Sequence, residues 1–370
     1  MEDLVMFNNV YDGRKVIVTG HTGFKGTWLT CWLRLLGAEV MGISDCVPTE
    51  PSMFNIIGIE SEIQHRIIDI RDAAALNKEI QSFGPDYIFH LAAQAIVSTS
   101  YADPIGTIST NVLGTAHVLD AIRQLKYPCT AVIITSDKCY ENVEWEWGYR
   151  ETDHLGGKDI YSASKGAAEV VFHAYFHSFL KQRSDIRVAS ARAGNVIGGG
   201  DWAKDRIIAD SVRSWSAGRA VQIRSPDATR PWQHVLEPLS GYLWLGAKLN
   251  VDRNLNGESF NFGPRAEQSR RVVDLITDVF KHWDVKFQCY DITENIPFHE
   301  AGLLKLNCDK ALFHLRWWPT LSYEECVRMV GEWYAAYYLA DGGIGLLTER
   351  QIQRYMELAT IRGSEWTLFS

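Results

Sequence analysis

No stretch of this 370-residue chain approaches the roughly 20 consecutive apolar residues that a membrane-spanning helix needs, which argues against a membrane protein. Residues 1–11 lack a basic region followed by an apolar core, so no secretory leader is expected and a cytoplasmic location is. The seven cysteines (Cys31, Cys46, Cys129, Cys139, Cys289, Cys308 and Cys326) are odd in number and include no Cys-x-x-Cys pair. That spacing indicates neither a disulfide framework nor a zinc centre, and no metal site is assigned. Excess positive charge is also missing: the net charge of −8 argues against nucleic-acid binding. A few local arginines can still make one pocket positive. Internal repeats and low-complexity segments are absent.

What is present begins with Lys15-Val16-Ile17-Val18, a β-branched run that reads as a first strand. It runs into Thr19-Gly20-His21-Thr22-Gly23-Phe24-Lys25-Gly26, and an apolar-periodic helix follows through Trp28, Leu29, Trp32 and Leu33. Strand, glycine turn and helix are the setting of a dinucleotide-binding turn. Glycines let the backbone approach a pyrophosphate, and the helix N-terminus offers it free N–H groups and a positive dipole end. The spacing is G-x-x-G-x-x-G, with Gly20, Thr22, Gly23, Phe24 and Gly26 as cofactor contacts. A second strand, Glu39 to Ser44, ends at Asp45, placed to accept from the adenosine ribose and to disfavour a 2′-phosphate; this favours NAD over NADP. Further strands are expected at 65–68, before Asp69 and Ile70, and at 87–91, where Leu91-Ala92-Ala93-Gln94 leaves room for a ligand. Asp69, Ile70 and Leu91 to Gln94 join the cofactor set. A helix is expected over about 103–125.

The centre of the chain is the stretch from Thr135 to Lys165. An apolar strand, Ala131 to Ile134, delivers Ser136, Asp137 and Lys138. A helix then opens with Tyr161 and Lys165, which are four residues apart and so share a face. An ammonium beside a phenol favours the phenolate, a base for a sugar hydroxyl near neutral pH. A sixth strand, 186–191, ends in Arg192-Ala193-Gly194-Asn195. The alternation predicts an α/β fold with a doubly wound parallel sheet, every motif lying at a strand's C-terminal end. Beyond Gly200 the strands shorten and arginines and tryptophans become frequent, which suggests a smaller C-terminal α/β lobe. Arg206, Arg230 and Arg265 could hold a pyrophosphate there. The expected division is 1–195, with a return segment of about 229–262, for the cofactor, and 196–228 with 263–370 for the substrate.

Taken together, Gly20-x-x-Gly23-x-x-Gly26, Thr135 to Tyr140, Trp147 to Glu151, Tyr161-x-x-x-Lys165, Arg192 to Trp202, Arg230 to Tyr242 and His299-Glu300 resemble the extended short-chain dehydrogenase/reductases that act on nucleotide sugars. The resemblance covers about 13–338 and implies a Rossmann-type sheet, bound NAD and a homodimer or dimer of dimers built on the helices near 103–125 and 162–180. Within the family it runs to the 4,6-dehydratases, with CDP-glucose as the implied substrate and a role in deoxysugar synthesis. Relatives acting on dTDP-glucose carry Asp-Glu where this chain has Asp137-Lys138, a departure that points to the CDP-sugar. The implied chemistry is oxidation at C4, loss of water across C5 and C6, and reduction at C6. Tyr161 is the first base, Lys165 its partner and Ser136 a hydrogen bond to O4; Asp137 is the acid, and Lys138 the C5 base or that base's partner. Asn195, Arg206, Arg230 and His299 fall to the substrate. A 4-epimerase or a dTDP-, UDP- or GDP-sugar dehydratase of the same fold stands as the alternative. A silent NAD-binding regulator is a more distant one.

Overall fold

Val16, Ile17 and Val18 are fully buried, and their alternation puts Val16 and Val18 in one apolar core and Ile17 in another. A strand covered on both faces is what a parallel sheet requires. In the computed structural model, which describes residues 6–265, 268–283, 288–293, 303–339 and 342–368, this strand is β1 (Lys15–Thr19). The others of its sheet are β2 (Glu39–Ser44), β3 (Gln64–Ile67), β4 (Tyr87–His90), β5 (Cys129–Ile134), β6 (Ile186–Ala193) and β7 (Ser259–Phe262). All pair in parallel, in the order β7-β6-β5-β4-β1-β2-β3. The order reverses between β1 and β4, and such a switch point opens a crevice at the strands' C-terminal ends.

Helices of ten residues or more are α1 (Phe24–Leu35), α2 (Ala73–Phe83), α3 (Gly114–Gln124), α4 (Ile160–Tyr175), α5 (Ile207–Ser216), α6 (Leu236–Val251), α7 (Tyr323–Leu339) and α8 (Ile344–Ile361). Leu76 and Ile80 of α2, Val118 and Ile122 of α3 and Phe172 of α4 form one core with Ile17. Trp28 and Trp32 of α1 and Leu239, Tyr242 and Leu243 of α6 form the other, with Val16 and Val18. The sheet is thus wound on both faces.

The helix expected over about 103–125 is present and runs without a break from Pro104 to Gln124, with one π-helical turn inside it. Asp103 caps it, and the π-helical turn, Ser109–Leu113, precedes α3. Two elements differ from expectation. Helix α6 is buried almost throughout, so its sequence shows no polar stripe to mark a helix. From residue 341 the sequence suggests a linker and a short helix, whereas the structure has the 18-residue α8 there. The face bearing Ile344, Ile352 and Tyr355 buries in the core that α1 shares. Trp366 stacks on Phe7 at 4.8 Å between ring centroids and lies nearly parallel to Tyr355, so the two ends of the described chain close on one another.

His90, at the end of β4, ties the layers. Its Nδ1 lies 2.7 Å from Thr19 Oγ1 of β1, and its Nε2 lies 3.1 Å from Thr115 Oγ1 of α3. Burial, then the charge of Lys165, lowers its pKa from 6.5 to about 3. The unfolded chain therefore takes up this proton first as pH falls, and stability is lost between those two values. The slope of unfolding free energy against pH should be shallower in His90→Gln by up to about 1.4 kcal/mol per pH unit. Urea unfolding at about pH 6 and about pH 5 tests this; an unchanged slope would show that His90 is not buried in its neutral form.

Candidate active site

A cleft of about 880 Å³ lies over the switch point. On one side the chain turns from β1 into α1. Gly20 has φ +76°, and a Cβ there would meet Ala92 N at 2.7 Å. A Cβ on Gly26 would fall 2.0 Å from Gly20 O, so α1 can close on the turn only without a side chain there. Thr22 pins the turn by donating from Oγ1 to Cys46 O at 2.6 Å. Gly23 caps α1 with no side chain, leaving the first-turn N–H groups open to an anion. Phe24 lines the same wall.

Asp45, exposed at the end of β2, and Asp69 and Ile70, after β3, line the next part of the cleft. Arg71 engages Asp69 through several hydrogen bonds and holds its carboxyl below the usual range. Leu91, Ala92, Ala93 and Gln94 lie opposite. Gln94 N–H donates to Asn111 Oδ1 at 2.8 Å, and Asn111 Nδ2 donates to Gln94 O and to Ser164 Oγ. Asn111 sits in the π-helical turn, and π turns recur at functional sites. Here the turn fastens the loop after β4 to α4.

The chemistry-bearing groups gather at the ends of β5 and α4. Ser136 Oγ donates to Asp137 Oδ1 at 2.9 Å and accepts from Lys138 N–H at 3.2 Å, starting a short 3-10 turn, Asp137–Cys139. Asp159 caps α4 by accepting from Ser162 N–H at 2.9 Å, which sets Tyr161 in the first turn. Tyr161 is 7% exposed and Lys165 6%, with Lys165 Nζ 6.0 Å from the Tyr161 ring centroid. Burial raises the pKa of Asp137, against the pull of Lys138, the Ser136 hydrogen bond and Lys25. A carboxyl so raised is suited to give up a proton as an acid.

One expectation needs correction. Lys165 was expected to favour the Tyr161 phenolate, yet burial dominates and raises the phenol. What opposes burial is the charge of Arg206 and a hydrogen bond with Ser136. Burial, in turn, lowers Lys165 to about 8. Arg206 is held at the cleft by donating to Ala95 O at 3.3 Å, and Asn195 lines the cleft with it. Arg230 lies elsewhere, in a ribbon of Thr229–Arg230 with Arg270–Arg271, and is not a lining residue. Arg265 is exposed and does not line the cleft either. His299 lies outside the described residues.

Among the lining residues with no role assigned from sequence are Lys25 and Asp201. Half-buried Lys25 makes no hydrogen bond or ion pair among the described residues, and burial and Arg206 lower it to about 8. Asp201 is raised by burial, with Arg206, Arg213 and Lys25 opposing. A lysine inside the glycine turn, between Phe24 and Gly26, was the available signal for the first. The turn's role can be tested directly: Gly26→Ala should weaken NAD binding at least about tenfold by calorimetry, about 1.4 kcal/mol. Unchanged affinity in a folded variant would rule the turn out as the pyrophosphate site.

Comparison with known proteins agrees with this geometry. The family described as GDP-mannose 4,6 dehydratase matches residues 17–330. The CDP-glucose 4,6-dehydratase of Salmonella typhimurium is 44% identical over 356 residues, which is 95% of this chain and 99% of the relative. A dTDP-glucose 4,6-dehydratase of Xanthomonas campestris is 23% identical, over 86% of this chain and 92% of the relative. Among solved structures, an epimerase from Methanothermobacter thermautotrophicus superposes with a TM-score of 0.78 at 23% identity, covering 91% of this chain and 96% of that one. A Streptomyces venezuelae dTDP-glucose 4,6-dehydratase solved with NAD gives 0.73 at 21% identity, covering 86% of this chain and 96% of that one. The matched span, the relative shared from end to end and the parallel sheet with its cleft make this chain a member of the GDP-mannose 4,6-dehydratase family, within the extended short-chain dehydrogenase/reductases.

Proposed function

We propose that the chain is an NAD-dependent 4,6-dehydratase that converts CDP-glucose to CDP-4-keto-6-deoxyglucose. The observation that carries this reading is the 44% identity, along nearly all of both chains, to the Salmonella typhimurium CDP-glucose 4,6-dehydratase. The cleft supports it. The close-packed turn at Gly20 and Gly26 and the open N-terminus of α1 fit a pyrophosphate. Asp45 suits a ribose without a 2′-phosphate, Asp69 and Ile70 flank the adenine side, and Leu91 to Gln94 face the turn. Tyr161 and Lys165 would hold the nicotinamide ribose. NAD, when bound, supplies what side chains lack: a hydride acceptor at C4 and, later in the same turnover, a hydride donor at C6.

The chain's own groups move the protons. Tyr161 takes the proton of the sugar O4, with Ser136 sharing a hydrogen bond to that oxygen. A ketone at C4 acidifies the C5 proton, and Lys138, or a base that it assists, removes it. Asp137 protonates the departing C6 hydroxyl, which leaves as water. Lys138 can accept a proton only in its neutral form. Asn195 and Arg206 line the substrate end, and His299 is assigned there by resemblance alone. An epimerase would have no use for the Asp137-Lys138 pair.

Residues 1–195 and about 229–262 are assigned to the cofactor, and 196–228 with 263–370 to the nucleotide sugar; helix α8 of the second share packs back on α1. A homodimer, or a dimer of dimers, would cover the exposed apolar side chains Ile105, Leu113, Val170 and Phe179 beside α3 and α4. The reading places the enzyme in the cytoplasm, where its thiols stay reduced.

Purified protein offered CDP-glucose in parallel with dTDP-, UDP- and GDP-sugars should convert the CDP-sugar to a product lighter by one water. Product from another nucleotide alone would overturn the CDP assignment, and an isomer of unchanged mass would mean epimerisation. Lys138→Met should keep oxidation at C4 but lose deuterium exchange at C5; full exchange in that variant would remove Lys138 as the base. Val170→Asp should yield monomers in sedimentation, and a persistent dimer would place the interface elsewhere.

A further inference from the structure

Glu169 and Arg192 form an ion pair of 2.7 Å with the two side chains 0% and 1% exposed. Neither residue lines the cleft, and neither has a part in the chemistry above. Burying two charges is costly unless their remaining hydrogen-bonding groups are met. The partners that meet them are specific. One Glu169 oxygen accepts from Thr135 Oγ1. The other accepts from Arg192 Nη2 at 2.7 Å, Ser190 Oγ at 2.9 Å and Ser259 Oγ at 3.3 Å. Arg192 Nη1 donates to Tyr140 OH at 2.7 Å and to Glu151 O at 3.2 Å. Tyr140 OH donates onward to Asn261 Oδ1 at 2.8 Å, and Asn261 Nδ2 donates to Tyr149 O and Asn307 O. Arg192 Nε alone finds no acceptor among the described residues.

The arrangement along the chain gives the pair its meaning. Thr135 immediately precedes Ser136, and Tyr140 follows the turn that carries Asp137 and Lys138. Glu169 stands one helical turn after Lys165 on α4. A single ion pair therefore grips the catalytic turn at both ends and grips the helix that bears Tyr161 and Lys165. Within the turn, Tyr140 N–H donates to Asp137 O, which ties the Tyr140 end to the residue that carries the acid, while Thr135 adjoins Ser136 directly at the other end.

We infer that Glu169, Arg192, Thr135 and Tyr140 are positioning residues that set the register between the two halves of the reaction: the Thr135 arm places Ser136 for oxidation at C4, and the Tyr140 arm places Asp137 and Lys138 for elimination across C5 and C6. This rests on the dehydratase reading. It requires the arms to be separable, which a purely structural ion pair would not be.

The test is a single turnover of CDP-glucose by NAD-loaded enzyme. Reduced-nicotinamide absorbance follows oxidation, and loss of water by mass follows elimination. Tyr140→Phe removes the hydroxyl that Arg192 uses. It should oxidise at the wild-type rate and eliminate at least about tenfold more slowly, so reduced nicotinamide accumulates. Thr135→Val removes the other arm; it should slow oxidation itself about tenfold, and Thr135→Ser should restore it. Equal slowing of both phases in both variants, or no slowing in either, would overturn the inference. Thermal unfolding of each variant identifies a general loss of fold, which the serine variant would also show if the hydroxyl were irrelevant; failure of rescue in a folded Thr135→Ser protein counts against the inference. Wild-type enzyme in the same assay judges the underlying reading separately. No turnover there removes both, whereas normal wild-type turnover with uniform variants removes the inference alone.

Discussion

The site depends on the Glu169–Arg192 pair in the second row behind it. Burial by itself would raise a carboxyl as enclosed as Glu169, yet Arg192 and the hydroxyls of Thr135 and Ser190 hold it down at about 2. The pair stays ionised because the sheet brings β5, β6, β7 and α4 to one point, each contributing a partner. The same convergence positions the end of β5, from which the catalytic turn springs. Fold and chemistry are therefore joined at one place. A parallel sheet wound on both faces supplies the dry interior in which a charged pair can act as a fixed joint.

In front of that joint the cleft gathers opposed charges that are buried or half-buried. Lys25 and Lys165 are both lowered to about 8, while Asp137 and Asp201 are raised. Groups whose pKa values are moved toward neutrality suit proton transfer at neutral pH. The concentration of Lys25, Lys138, Lys165 and Arg206 in the cleft also explains how a chain of net charge −8 can hold an anionic ligand.

Much of this was legible in the sequence because the strands of a doubly wound sheet are short, apolar and β-branched, and because their C-terminal ends carry the motifs. The turn from Gly20 to Gly26, Ser136 to Lys138, and Tyr161 with Lys165 all meet in one cleft as their strand ends suggested. Helix α6 was hidden because burial all round erases the periodicity by which a helix is recognised. Arg230 looked like a phosphate ligand on residue type alone, and the ribbon with Arg270–Arg271 takes it away from the cleft. The role of Arg206 at Tyr161 and the joint between Glu169 and Arg192 are tertiary facts. Each pairs residues more than twenty positions apart, and no local spacing encodes them.

The central claim is that oxidation, elimination and reduction occur in one closed turnover at this cleft. It is tested most directly with CDP-glucose carrying deuterium at C4. The account predicts that the deuterium reappears at C6 of the 4-keto-6-deoxy product, carried there within the same active site, with a solvent proton at C5. Deuterium retained at C4, or lost to solvent, would contradict it.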